Sequence, residues 1–217
     1  INRFSIFLLF LAVLPIFLAS CKSRPRSQHK GTSILKLTDR IKSIPLSELL
    51  PPPNLNTRIG KLESEVPTKV KDDYMYGTLA GQYGKLPTAV EYLKKAISKQ
   101  PDFIDAHHNL GLAYYKMGRI EEAIEEWKKT LRLDPSYAET YYNLAMFLFD
   151  CKRPEEAISL LNKCIEYDQY HLKARYALGI IFKNKGKNQE AIRHFKAFQV
   201  KDRGDLRVHV ALGEIYL

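Results

Sequence analysis

The side chains in this 217-residue chain that could do chemistry are its three cysteines, its six histidines and a run of glutamates. His107 and His108 are adjacent, so on a helix they diverge by about 100° and cannot share a metal. His194 has no ligand-type residue one turn on. Cys151 sits at a turn signal and Cys164 lies well inside the next helical run, about 15 Å along its axis. A disulfide needs Cα atoms within about 7 Å, so the two read as separate thiols, with Cys164 buried. Glu121, Glu122, Glu125 and Glu126 crowd one helical stretch, as a solvated face does. No G-x-S-x-G, P-loop or H-E-x-x-H is present. The residues therefore point to no enzyme, no cofactor, no metal and no small-molecule substrate.

What the chain has instead is a period. Ala89, Ala123, Ala157 and Ala191 are each 34 residues apart. Gly77, Gly111, Ala145, Gly179 and Gly213 keep the same beat. So do Leu110, Leu144, Leu178 and Leu212, with Tyr76 in the first slot, and Pro67, Pro101 and Pro135. One supersecondary unit copied end to end builds a helical solenoid, with neighbours stacked on neighbours. His107, Leu110, Gly111, Tyr114, Ala123, Trp127 and Pro135 follow the pattern W-x2-L-G-x2-Y, A-x3-F, P, with His for the first Trp and Trp for Phe. Residues 70–217 thus resemble the tetratricopeptide repeat (TPR) family. That resemblance implies an all-α fold, a right-handed solenoid of antiparallel helix pairs.

The copies read as 70–103, 104–137, 138–171 and 172–205, with 206–217 as the first helix of a fifth. Gly84, Gly118 and Gly186 stop the first helix of copies one, two and four. Copy three has Lys152-Arg153-Pro154 there, Pro154 suiting the first turn of the next helix. Gly111 and Ala123 lack bulk because paired helices approach closely. Glu125 and Lys129 are spaced for an i,i+4 ion pair. Phe198 occupies the small-residue slot of Ala96, Thr130 and Cys164, and Arg203 replaces the repeat proline, so copy four departs most. The chain begins at Ile1 and stops inside the fifth unit. That reads as a fragment, or as an open face that a partner covers.

In TPR arrays the first helix of each pair lines the concave face. Carried over, that implies a groove with Tyr74, His108, Tyr142 and Tyr176 as a row of rings, Asn109 and Asn143 beside it, and Thr78, Leu112, Met146 and Ile180 one turn on. Tyr115 and Phe149 follow in two copies. The expected ligand is a protein or peptide segment with a few apolar anchors, its backbone met by the amides. The alternative is that these are generic repeat residues and that the contact lies on the convex side or the tether. Repeats that clamp a C-terminal carboxylate use Lys and Asn where this chain has Tyr or His and Leu or Met, so a chaperone-tail clamp is not expected.

The front of the chain has another character. Phe4 to Ala19 is almost wholly apolar after Arg3, short for a membrane span and matched to a secretory signal core. Leu18-Ala19-Ser20-Cys21 resembles the lipobox of bacterial lipoproteins. The resemblance implies a signal peptide over 1–20, cleavage before Cys21, and acylation of Cys21 as the membrane anchor. An ordinary signal peptide and an uncleaved anchor are the alternatives. Lys22 rather than Asp follows the cysteine, which leans toward the outer membrane. Residues 21–69 read as a basic, Pro-rich tether carrying Pro51-Pro52-Pro53. Its stretch from Ile34 to Leu50 is apolar enough for a short helix that frays or docks on the repeats. The formal net charge is +10. Lys22 to Asp72 holds 11 Lys and Arg against 5 Asp and Glu, so the tether carries most of it. Such a segment suits anionic headgroups; with no nucleic-acid motif and an export signal, nucleic acid is not an expected partner.

These parts describe a membrane-anchored adaptor of the bacterial cell envelope that binds another protein. In architecture it looks like the TPR lipoproteins that help assemble type IV pili and their outer-membrane secretin. The rival reading is the targeting arm of a larger envelope enzyme.

Overall fold

The computed structural model describes residues 43–50 and 67–217, all within one compact unit. Residues 1–42 and 51–66, where the expected signal core, Cys21 and most of the expected tether fall, lie outside the described residues. After a single turn, α1 (Leu46–Leu49), come α2 (Thr68–Gln82), α3 (Leu86–Lys99), α4 (Ile104–Lys116), α5 (Ile120–Leu133), α6 (Ala138–Asp150), α7 (Pro154–Tyr167), α8 (Leu172–Asn184), α9 (Asn188–Gln199) and α10 (Leu206–Tyr216). No strand occurs among the described residues, and no described helix is long and apolar enough to cross a membrane. The helices pair as α2/α3, α4/α5, α6/α7 and α8/α9, and α10 opens a further unit.

Each hairpin is closed by the same backbone device. Lys85, Arg119, Arg153 and Lys187 each donate a backbone N–H to the carbonyl five residues back, on Ala80, Tyr114, Leu148 and Phe182. This is the Schellman end of a helix, which requires a left-handed residue just before the donor. Gly84, Gly118 and Gly186 supply it with φ of 73°, 77° and 71°. Copy three has no glycine there, and Lys152 takes the left-handed conformation at φ 63°. A side chain is disfavoured in that region. Lys152→Gly is therefore expected to stabilise the array by about 0.5–1 kcal/mol, read as a higher urea midpoint with unchanged slope. Pro154 opens α7 at its first position, as the residue type predicts.

The evenly spaced alanines lie in the seams: Ala89, Ala123, Ala157 and Ala191 are all fully buried. Opposite the small residues of the first helices stands a series the sequence reading took up only at Trp127: Leu93, Trp127, Leu161 and Phe195. A Cβ on Gly77 would lie 2.8 Å from Leu93 Cγ, one on Gly111 2.6 Å from Trp127 Cδ1, and one on Gly179 2.4 Å from Phe195 Cε1. Large side chains on the second helix thus press onto bare backbone on the first. Ala96, Thr130 and Cys164 fill their common slot with no exposure, and burial pushes the Cys164 thiol up to about 12. Cys151 is half-buried at the α6–α7 turn and is not bridged to Cys164. Tyr76 differs from its in-phase leucines, being 55 % exposed against Tyr92. It heads the first described pair, with no earlier repeat among the described residues to cover it.

One departure from the sequence reading has a plain cause, and the described end of the tether takes the docked of its two expected forms. Glu125 and Lys129 do not pair. Lys128 Nζ reaches Glu125 at 3.0 Å and Lys129 Nζ reaches Glu126 at 2.8 Å, both at i,i+3, because Glu126 is drawn inward by His107. Within the tether, α1 packs into the array. Leu49 is fully buried in the repeat core, Ile44, Leu46 and Leu50 rest against it, and Arg153 Nη1 donates to the Ile44 carbonyl.

The core itself is in two parts. One cluster runs from Leu49 to Ile181, and a second joins Ala191, Phe195, Phe198, Val208, Ala211 and Leu212. The break falls in copy four, between Ile181 on α8 and Ala191 on α9. Further on, α9 ends at Gln199 and six residues, Val200–Asp205, lead to α10. The connections at 100–103, 134–137 and 168–171 have four. Phe198 is buried in the slot used elsewhere by Ala, Thr and Cys, and meets Tyr176 edge-on at 6.3 Å.

Candidate functional site

The first helices α2, α4, α6 and α8 carry the expected groove residues in register. Tyr74, Asn109, Leu112, Tyr115, Tyr142, Asn143, Met146, Phe149, Tyr176 and Ile180 are all half-buried, as is Thr78. His108 is not, being buried at 6 % exposure. Its Nδ1 lies 2.8 Å from Thr140 Oγ1, its Nε2 3.4 Å from Asn143 Nδ2, and its ring sits 5.0 Å from that of Tyr137. The amide of Asn143 donates, so Nε2 accepts and Nδ1–H donates to Thr140: a neutral imidazole satisfied on both sides. His108 is a joint between copies two and three, and the open ring row is Tyr74, Tyr142 and Tyr176.

The amide handles are also partly engaged. Asn109 Nδ2 donates to Tyr74 Oη at 3.2 Å and Thr78 Oγ1 at 3.0 Å. Both amide donors of Asn109 and one of the two on Asn143 are spent between repeats, and neither Oδ1 is bonded to a donor among the described residues. The pair therefore offers two acceptors for backbone N–H groups and, from Asn143, one remaining donor. Tyr115 Oη donates to Asp150 Oδ2 at 2.7 Å, again one repeat on. Rings in the row meet cations from the following copy: Lys173 lies 5.8 Å from the Tyr142 centroid and Arg207 5.2 Å from that of Tyr176. The face is aromatic and apolar with cations at its edge.

Glu139 anchors that edge between copies three and four. It accepts from Lys173 Nζ at 3.0 Å and faces His171 Nε2 at 3.5 Å; the His171 contact first, then Lys173, brings its carboxyl down to about 2 against the cost of burial. His171 in turn accepts from the Ala174 N–H at the start of α8 through Nδ1, at 3.1 Å. His107, in the family's Trp slot, bridges buried Glu126 (Nδ1 to Oε2, 2.6 Å) and the Pro101 carbonyl (Nε2 to O, 2.8 Å). Burial pushes the Glu126 carboxyl up, but the bonds from His107 and Lys129 outweigh it and hold it below its ordinary value. His194 is buried, its ring parallel to Phe182 at 5.5 Å. These histidines pack and brace the repeats.

A cavity of about 120 Å³ opens between α2, α3 and α4. Thr78, Asn109 and Leu112 of the expected groove line it, together with Gly81, Leu93 and Lys116, which the sequence reading did not single out. The signal was available in phase: Gly81 stands where copies two and three have Tyr115 and Phe149.

Comparison with known proteins agrees with this geometry. Residues 82–118 and 114–149 match the TPR repeat family and residues 138–171 match the tetratricopeptide repeat family. None of the curated proteins compared with the chain matches it. Among solved structures it is similar to the MamA protein, at 26% identity and TM-score 0.56 over 68% of this chain and 81% of that one. It is similar to PilF of Pseudomonas aeruginosa at 24% identity and TM-score 0.62, over 68% of this chain and 67% of that one. YrrB, described as a TPR protein with an unusual peptide-binding site, matches at 23% identity and TM-score 0.52 over 66% of this chain and 74% of that one. Repeats in sequence, paired helices closed by one recurring cap and a row of half-buried rings along the first helices converge: residues 82–171 carry tetratricopeptide repeats, and the described helices have the fold of a TPR solenoid, which supports a role in protein–protein interaction.

Proposed function

We propose that this chain is a membrane-anchored TPR adaptor of the bacterial cell envelope. Its groove holds a segment of a partner protein, and an acylated Cys21 holds the membrane. One observation carries the binding half of this reading: successive first helices present the same half-buried aromatic and apolar series, with amide oxygens left open beside it. Capture at two points raises the partner's local concentration at the membrane without any catalytic group. The anchoring half rests on Leu18-Ala19-Ser20-Cys21 and the apolar run before it. Assembly of type IV pili or their secretin is the pathway this architecture favours, and the fold shared with PilF supports that choice.

Two measurements test the halves separately. Radiolabelled palmitate is expected in the parent and not in Cys21→Ala; equal labelling would overturn the anchor. Tyr142→Ala with Asn143→Ala is expected to weaken partner capture about 10-fold or more while far-UV circular dichroism stays unchanged. Unaltered capture would move the contact off this face.

A further inference from the structure

The cavity between α2, α3 and α4 has a cause that can be read in register. In copy two, Tyr115 projects from α4, lies 5.6 Å from the Trp127 ring on the paired helix, and sends its hydroxyl to Asp150 on the next first helix. Phe149 holds the equivalent place in copy three and packs on the core. In copy one the residue is Gly81. The corresponding space then runs from Leu93, the counterpart of Trp127, to Lys116, the counterpart of Asp150, and both line the cavity. A Cβ on Gly81 would meet only Ala89 Cβ, at 3.6 Å, so the space begins at the helix backbone. The cavity is the imprint of a ring that this copy lacks.

Size and charge define what fits. At about 120 Å³ it is well below the roughly 300 Å³ at which small-molecule pockets begin, and it suits a single side chain. Its floor is apolar, from Leu86, Ala89, Leu93 and Leu112. Where Tyr115 finds a carboxylate, this site has the exposed ammonium of Lys116, which is bonded to no carboxylate among the described residues. Asn109 lines the same cavity. We infer that the cavity is the anchor pocket of the groove: it takes one aromatic or leucine side chain of a partner peptide that carries an Asp or Glu next to that anchor, the carboxylate meeting Lys116. This rests on the groove reading above and specifies its ligand.

A phage library of random dodecapeptides panned against the 217-residue chain tests it. The selected peptides are expected to share Phe, Tyr, Trp or Leu within two positions of an acidic residue. Gly81→Phe, which supplies the missing ring, is expected to weaken them about 10–100-fold. Lys116→Glu, an exposed change, is expected to weaken the same peptides and to favour versions with Lys in place of the acid. If Gly81→Phe does not fold by circular dichroism, Lys116→Glu decides alone. Peptides that lose binding with Tyr142→Ala and Asn143→Ala but ignore Gly81→Phe and Lys116→Glu would overturn the pocket and leave the groove standing. Peptides that ignore all of these substitutions, or a library that yields no shared anchor, would overturn both.

Discussion

Trp127→Ala is expected to cost the array about 3–5 kcal/mol, a fall in melting temperature of roughly 6–20 °C for a chain of this size. The ring is fully buried and spans the α4–α5 seam. It lies so close to Gly111 that a Cβ there would sit 2.6 Å from both Cδ1 and Nε1 and 3.1 Å from the Ala123 carbonyl oxygen. Tyr115 packs at 5.6 Å. Truncation removes the largest fully buried side chain and leaves a hole whose facing wall is glycine backbone, which cannot fill it. In a solenoid each unit is held by its neighbours, so damage at the second pair also weakens the stacking of the first and third. The indole N–H has no hydrogen-bond partner among the described residues. Trp127→Phe therefore removes a buried unsatisfied donor along with some volume, and is expected to cost far less than alanine. Urea unfolding of the three proteins checks both; an alanine variant melting within about 2 °C of the parent would mean that this ring does not hold the seam.

Acid is expected to loosen the array before its carboxylates titrate. Burial lowers His108 to about 4, against the pull of Glu139 and Asp105 and with a smaller push from Lys173; burial, with Arg193 and Arg175, lowers His194 to about 4. An unfolded chain takes up a proton at each near pH 6.5. Between about pH 6.5 and 4 the unfolded state binds more protons than the native one, so stability falls as pH drops through that window and is complete above it. For His108 alone the contribution is about 3 kcal/mol at most. Glu139, held at about 2, and Glu126 act in the other window, keeping their contribution above the ordinary carboxylate range and losing it as pH falls further. His108→Gln keeps a donor for Thr140 and removes the titration. Melting curves from pH 7.5 to 4.5 are expected to shift less for that variant than for the parent. Parallel shifts would show that the site does not govern acid sensitivity.

Why the sequence revealed the scaffold and not the details follows from which forces act. Ala123, Gly111 and Pro154 are fixed by backbone approach and helix geometry, which recur in every copy and leave an exact period. The second helix in copy two, Ile120–Leu133, is bracketed by Gly118 and Asp134-Pro135, whose types mark its ends in the sequence. His108 could not be read this way. Its slot is a groove position in phase with Tyr74 and Tyr142, and only the side chain of Thr140, one repeat on, draws it inward. The same holds for Glu126, pulled from the solvated face by His107. The apolar residues of 34–50 fit a frayed or a docked helix alike, and the bond that belongs to the docked form, from Arg153 to the Ile44 carbonyl, joins residues 109 apart. The cavity at Gly81 was legible in principle, as a missing ring in a series, but its significance needs the third dimension.

The division of the apolar interior at copy four has a mechanical meaning. Between Ile181 and Ala191 the two clusters are bridged by Phe182, which leans on both. The α9–α10 segment is joined to α8 by rings on both sides of that divide, Tyr176 meeting Phe195 and Phe198 and Phe182 meeting His194, so a long visitor lying on Tyr176 would bear directly on the joint.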